Sequence, residues 1–268
     1  MNNTNIQVCI RGAGELATAV AHKLHKCNFR VFLTEIANPK AVRRKVAFCE
    51  AVHLGSIEVE GVTAELVVTT NEINAVWQRG NIPLIIGPKI SIIGNAKVDV
   101  FIDAIMAKKN TGVYKNLAPL VIGLGPGFSA GRDVDVVIET KRGHDLGRII
   151  LEGEAEPNTG IPGVIGGYSK ERVFRAPQEG TFKNVKDIGD IVEAGETLAI
   201  VDGIPVKAEI SGVIRGMLAN GTNVHVGMKA GDIDPRGIKR YCYTISDKGR
   251  TIAGGVVEAI LSWNKLYE

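Results

Sequence analysis

Two groups of residues have the types and spacing to do chemistry. The first is Gly12-Ala13-Gly14-Glu15-Leu16-Ala17, a G-x-G-x-x-A run directly after the apolar stretch QVCI and directly before an amphipathic one. In such a turn Gly12 permits the tight bend, Gly14 lets the backbone approach a diphosphate, and Ala17 allows close strand–helix packing. Glu35, closing the next apolar run, is placed to take ribose hydroxyls, so Gly12, Gly14 and Glu35 are candidate cofactor-binding residues. Glu15 opposes this: at a helix start its carboxylate suits the macrodipole and repels a competing phosphate. Arg11 either offsets Glu15 or pairs with it, so the sequence leaves open a turn filled by its own carboxylate.

The second group is Gly123, Gly125, Gly127 and Gly131, then Arg132, Asp133 and Asp135, then Glu139, Arg142, His144, Asp145 and Arg148. No G-K-[ST] follows, which excludes a Walker A loop. A glycine-rich turn beside arginines makes an anion nest, so Gly125, Gly127, Arg132, Arg142 and Arg148 join the candidate binding residues. His144 beside Asp145 is the candidate catalytic pair, as an acid/base near neutrality. A polar loop that satisfies its own charges is the competing reading. His22 and His25 lack further ligands nearby, so no metal site is expected. Cys9, Cys27, Cys49 and Cys242 are scattered, with no C-x-x-C pair, and read as free thiols in a reducing cytosol.

The elements that position these residues alternate at first. QVCI, RVFLTE (30–35), AELVVTT (64–70), IPLIIG (82–87) and VDVFIDAI (98–105) read as buried strands. Glu15–Cys27, a helix from Pro39 to about Val52, and NEINAVWQR read as helices. Arg43, Arg44 and Lys45 form a basic patch on the second of these. Strand–helix–strand units predict a Rossmann-like α/β domain over 1–165, a mostly parallel sheet wrapped by helices.

The second half repeats itself. Ala176, Gly180, Gly189, Val192 and Gly195 match Ala208, Gly212, Gly221, Val224 and Gly227, each pair 32 residues apart. An internal repeat is one supersecondary unit used twice. The A-P-x-x-G … G-D-x-V-x-x-G pattern resembles the biotinyl/lipoyl-type barrel-sandwich, predicted over 166–240. The joining stretch AIVDGIPVKA lacks a carrier M-K-M signature, and its one lysine, Lys207, lies off the turn, which argues against a carrier role. Residues 241–268 are expected to form a strand and a final helix that packs back, with Ser246 and Asp247 at its start and Ile252, Val256, Ala259, Ile260 and Trp263 as its stripe.

The net charge of +3 over 268 residues gives no case for nucleic acid, and no apolar run reaches ~18 residues, so no membrane partner is expected. MNNTNIQ has no signal-peptide character, and a cytoplasmic location is expected.

Taken together, IRGAGELATAVAHKL, AVRRKVAFCEAV, VIGLGPGFSAGRDVDVVIETKRGHDLGR, PNTGIPG, AGDIDPRG and ISDKGRTIAGGVVEAIL resemble the YqeB family. The resemblance implies an accessory role in maturing a selenium-dependent molybdenum hydroxylase, with that enzyme or its maturation machinery as partner. The resemblance implies that the factor handles the enzyme's cofactor, labile selenium or an anionic precursor; with the glycine turns, the expected ligand is an anionic nucleotide or cofactor-like molecule, NAD(P) or a molybdenum-cofactor-related one. An NAD(P)-dependent oxidoreductase and a non-enzymatic scaffold docking the hydroxylase, or a sulfur- or selenium-mobilising protein, are the alternatives.

Overall fold

The computed structural model describes residues 5–87 and 98–264. The chain divides into two compact units, the first from Met1–Pro39, Ala47–Asn158 and Ile245–Glu268, the second from Lys40–Val46 and Thr159–Thr244.

The first unit runs β1 (Gln7–Arg11), α1 (Glu15–Lys26), β2 (Arg30–Glu35), α2 (Ala51–Leu54), β3 (Ser56–Val59), β4 (Val62–Val67), α3 (Ile73–Gln78) and β5 (Ile82–Ile86). It continues with β6 (Val100–Asp103), β7 (Leu120–Leu124), β8 (Ser129–Ala130), β9 (Val136–Ile138), β10 (Ile149–Ile150) and β11 (Gly153–Glu154), and closes with α4 (Asp247–Asn264). Nine strands form one sheet in the order β10-β9-β7-β6-β1-β2-β5-β4-β3, while β8 and β11 pair separately. Neighbours from β4 to β9 in that order run parallel, and β3 and β10 are antiparallel edges. Val8–Ile10, Val31–Leu33, Val100–Ile102 and Leu120–Ile122 are buried throughout, the unbroken apolar runs of strands covered on both faces.

From β1 the chain passes to β2, out to the edge at β3 and back through β4 to β5, then crosses to β6 on the other side of β1 and proceeds to β7 and β9. The connections therefore reverse between β1 and β6. In open α/β sheets the crevice at the carboxyl ends of such a pair is where ligands bind.

α1 buries Ala17, Ala19, Val20, Ala21 and Leu24. It packs against α4, where a Cβ added at Gly249 would lie 2.9 Å from Ala19 Cβ and one at Gly254 would lie 3.8 Å from Lys23 Nζ. These contacts advance together along both helices, so the helices run in the same direction with adjacent first turns. The amide of Gly249 donates to Ser246 Oγ at 3.1 Å, capping α4. Ile252, Val256, Ala259 and Ile260 are buried, while Trp263 is only partly so.

The expected fold class is corrected in both halves. The first unit is a nine-stranded mixed sheet rather than a Rossmann-like strand–helix alternation. The Glu60–Gly61 turn, both residues at positive φ, folds β3 onto β4 as an antiparallel hairpin. The connection 104–119 between β6 and β7 is a run of turns with no helix. The helix expected from Pro39 is likewise absent. In its place are single 3₁₀ turns at Arg44–Val46 and Phe48–Glu50 and the four-residue α2, because Val42–Arg44 is drawn into the second unit. There Val42 O accepts the Met217 amide at 2.7 Å, Arg44 Nε donates to Met217 O at 2.9 Å, and Arg43 is buried rather than on a solvated face.

The second unit contains β12 (Val173–Arg175), β13 (Gly180–Asn184), β14 (Ile191–Val192), β15 (Thr197–Val201), β16 (Ile204–Lys207), β17 (Gly212–Met217), β18 (Thr222–Val224) and β19 (Lys229–Asp234). These form two separate antiparallel sheets, β12-β19-β17-β14 and β16-β15-β13-β18, rather than the single barrel-sandwich expected. β14 pairs with β17, and β18 pairs with β13, so each half of the repeat lends its short strand to the other half's sheet. Phe182, Leu198, Val213, Ile214 and Met217 fill the core between them. The turn after β15 is Asp202-Gly203, and Lys207 lies exposed at the far end of β16.

Asp234, fully buried, gives this unit a pH dependence. Burial pushes its carboxyl up, but the hydrogen bonds from Arg236 and the charges of Arg236 and Arg215 outweigh burial and hold it below the usual range. A carboxyl depressed in the fold contributes stability above its unfolded value, about 4, and that contribution is lost as pH falls further. Hydrogen exchange at the β17 and β19 amides is expected to be faster in Asp234→Asn than in the parent at pH 7. That difference should narrow below about pH 4.

Candidate functional site

The first candidate group lies at the strand reversal. Arg11 and Asp103 end β1 and β6 as register partners. Arg11 Nη1 donates to Asp103 Oδ2 at 2.9 Å and to Thr111 Oγ1 at 2.8 Å. Asp103 is 1% exposed, and burial outweighs the Arg11 charge to push its carboxyl above the usual range. Gly12 follows at φ +98°, its amide donating to Thr34 O at 2.8 Å. A Cβ on Gly12 would lie 3.1 Å from Ile105 Cγ2 and 3.3 Å from Ala104 O, so the turn needs glycine to pass under the segment after β6. Glu35 reaches back from the end of β2, and its Oε2 accepts the Ala13 amide at 2.9 Å while Oε1 accepts the Ile36 amide at 2.8 Å. The acid expected at ribose hydroxyls thus pins the turn through one lone pair on each oxygen.

Gly14 differs from its neighbours. It is the N-cap of α1, with extended φ −68° and ψ −175°, and among the described residues no side chain caps the helix and nothing lies within 4 Å of a Cβ built there. The first amides of a helix have no intrahelical acceptor, so α1 presents donors beside open space.

The structure divides the second group. Gly125 (φ +74°) lies where a Cβ would collide with Thr140 Oγ1, and Gly127 (φ +111°) where it would come within 2.6 Å of Lys109 N. Gly127 lets two backbone segments cross at close range, while Gly125 makes room for the Thr140 and Met106 side chains. Arg142 and Arg148 follow the carboxyl end of β9, the same edge of the sheet as Gly12 and Gly14. Arg132 instead lies ahead of β9, toward the amino ends of the strands. Each guanidinium faces a carboxylate. Arg132 meets Asp133 at 3.2 Å and Glu154 at 3.7 Å, Arg142 grips Asp247 at 2.7 and 2.9 Å, and Arg148 meets Asp145 at 3.3 Å. His144 is exposed and, among the described residues, makes no hydrogen bond to Asp145.

Three residues outside the candidate binding and catalytic residues belong to this edge, one of them, Glu139, already part of the second group. Asp103 pairs with Arg11 as described. Glu139 is buried at the end of β9, and its carboxylate accepts the amides of Thr140 and Lys141 at 2.7 Å and of Glu156 at 2.8 Å. A nest of amides suited to an anion is therefore filled from within. Both acids terminate apolar runs, VFID and VVIE, and a carboxylate closing a buried parallel strand is the signal that finds them. Lys248, in the first turn of α4, has no such signal. Its side chain is half-buried and makes no hydrogen bond or ion pair among the described residues. Burial first, then Arg142, lowers its pKa against the opposing charges of Glu15, Glu139 and Asp247.

No family model matches the chain. Over 254 residues it is 44% identical to the uncharacterized protein YqeB of Escherichia coli (strain K12), covering 95% of this chain and 47% of that protein. This similarity supports the YqeB family. The chain spans about half the length of the curated relative it matches. Among solved structures, TcdA (CsdL) is 11% identical over 97% of this chain and 89% of its own, with a TM-score of 0.31. An aspartoacylase family protein from Mesorhizobium loti is 11% identical over 85% of this chain and 84% of its own, at 0.29. Likenesses this slight carry no argument about fold or chemistry. No helix among the described residues is long and apolar enough to cross a membrane.

Proposed function

We propose that the first unit holds the phosphate or other anionic end of a small nucleotide or cofactor-like ligand against the start of α1. In the context that the YqeB resemblance implies, it does so as an accessory factor in maturing a selenium-dependent molybdenum hydroxylase. The observation that carries the reading is Gly14, a helix start that among the described residues has no side-chain cap and nothing within 4 Å of an added Cβ, at the carboxyl edge where the strand connections reverse. Arg132, Arg142 and Arg148 do not carry it, since carboxylates already face them. Glu35 favours a second reading, NAD(P) binding for redox chemistry, because each of its oxygens keeps a lone pair for a ribose hydroxyl.

Calorimetry with ADP, NAD⁺ and NADP⁺ tests both readings. Binding of ADP supports the anion reading, binding of NAD⁺ or NADP⁺ alone supports the redox one, and flat titrations with all three leave the scaffold. Gly14→Asp sharpens the test. The extended backbone and open space at Gly14 suit an aspartate N-cap, so stability is expected to hold or rise by a few tenths of a kcal/mol. Its carboxylate would take the helix amides for itself, and affinity for ADP is expected to fall about a hundredfold.

A further inference from the structure

Arg11 is tied down on one side and free on the other. Its Nη1 donates to Asp103 Oδ2 at 2.9 Å and to Thr111 Oγ1 at 2.8 Å, which uses both hydrogens of that nitrogen. Nε is buried and makes no hydrogen bond, and Nη2 makes none either among the described residues. A guanidinium is planar and its Nη2 lies trans to Cδ, so Nε–H and Nη2–H point the same way. The free pair is therefore the side-on edge that grips two oxygens of one carboxylate or phosphate at once. A buried N–H left unpaired is costly and uncommon in folded proteins, and here it belongs to the edge that such an anion would use. That edge is also held still, because Asp103 is 1% exposed and its Oδ1 accepts the Ile105 amide at 3.2 Å. Arg11 closes β1 and Asp103 closes β6, the two strands between which the connections reverse. Ile36, Ile86 and Ile105, each more than a third exposed, lie at or just beyond the carboxyl ends of β2, β5 and β6. β2 and β6 flank β1, and β5 adjoins β2, so the strand ends around Arg11 offer apolar surface beside a charged grip.

We infer that Arg11 reads the ligand of the first unit, its Nε–Nη2 edge taking an oxyanion, carboxylate or phosphate, that is carried on an apolar or aromatic body. This deepens the anion-binding reading and rests on it for the crevice at the strand reversal, though not for the α1 amides. Asp103 and Thr111 are positioning residues, since they act on the ligand only through the nitrogen they hold. Lysine could not replace Arg11, because an ammonium is a point charge and presents no pair of parallel donors.

The test follows the arginine Nε–H signals of the isotope-labelled whole protein by NMR while ADP, benzoate or inorganic phosphate is added. The Arg11 signal is assigned by its loss in Arg11→Lys. It is expected to shift and saturate with ADP or with benzoate, and whichever moves it tells a phosphate from a carboxylate. Inorganic phosphate, which lacks the body, should need about tenfold more to reach half of its shift. In calorimetry Arg11→Lys is expected to weaken the effective probe about thirtyfold, and Thr111→Val, which frees one tether and keeps the guanidinium, about threefold. Should Arg11→Lys fold poorly, the shift in the parent and the Thr111→Val affinity decide the matter. ADP binding with an Arg11 signal that no probe moves overturns the fork and spares the anion site at α1. A signal that follows benzoate while ADP titrations stay flat keeps the fork and overturns the nucleotide. An unmoved signal with flat calorimetry for every probe overturns both.

Discussion

Asp103→Ala is expected to cost the first unit about 3–5 kcal/mol of unfolding free energy, read as a lower urea midpoint. Asp103 is 1% exposed and Arg11 13%, and the two end adjacent central strands as register partners. Removing the carboxylate leaves a guanidinium buried against Thr111 alone, without its counter-charge. The double variant Arg11→Met with Asp103→Leu is expected to recover most of the loss, because two apolar side chains remove both desolvation costs at once. A double variant as unstable as Asp103→Ala would show that the pair does something other than compensate charge. Both tryptophans, Trp77 and Trp263, belong to the first unit, so fluorescence follows its unfolding.

Gly127→Ala is expected to destabilise the same unit by about 3 kcal/mol, the sum of backbone strain and overlap. At φ +111° a side chain is strained, and the new Cβ would lie 2.6 Å from Lys109 N and 2.7 Å from Lys109 Cα, atoms of backbone that cannot rotate away. Gly131→Ala, in the same glycine-rich segment, isolates the strain. Its φ is +84°, but the nearest heavy atom to a new Cβ is Leu151 O at 4.0 Å, so about 1 kcal/mol is expected. Equal midpoints for the two variants would mean that the Lys108–Lys109 segment yields freely, and the crossing would no longer account for Gly127. The loss is expected without any ligand, which separates a packing glycine from one reserved for phosphate.

Much of the positioning was legible along the chain. The apolar runs at QVCI, RVFLTE, IPLIIG and VFID marked β1, β2, β5 and β6, since strands buried on both faces must be apolar at every position. Gly12 and Gly14 were legible as a turn from strand into helix. The β3–β4 hairpin was not, because Ser56–Val59 has exposed Ser56 and Glu58 and so little apolar signal of its own. Nor was the loss of a helix after Pro39, since Val42–Arg44 takes its structure from backbone partners on Met217, far along the chain.

The sequence by itself determined local conformation: where strands run, where glycine must turn the chain, where helices start, and that one unit repeats. Tertiary structure alone decided which charges meet. Arg142 finds Asp247 and Arg11 finds Asp103 only when strands and helices distant in the chain are packed edge to edge. That packing turned a dense run of arginines into self-satisfied pairs. The physical reason is range: backbone preference acts between neighbours in the chain, whereas a charge is settled by whatever the fold brings within a few ångströms.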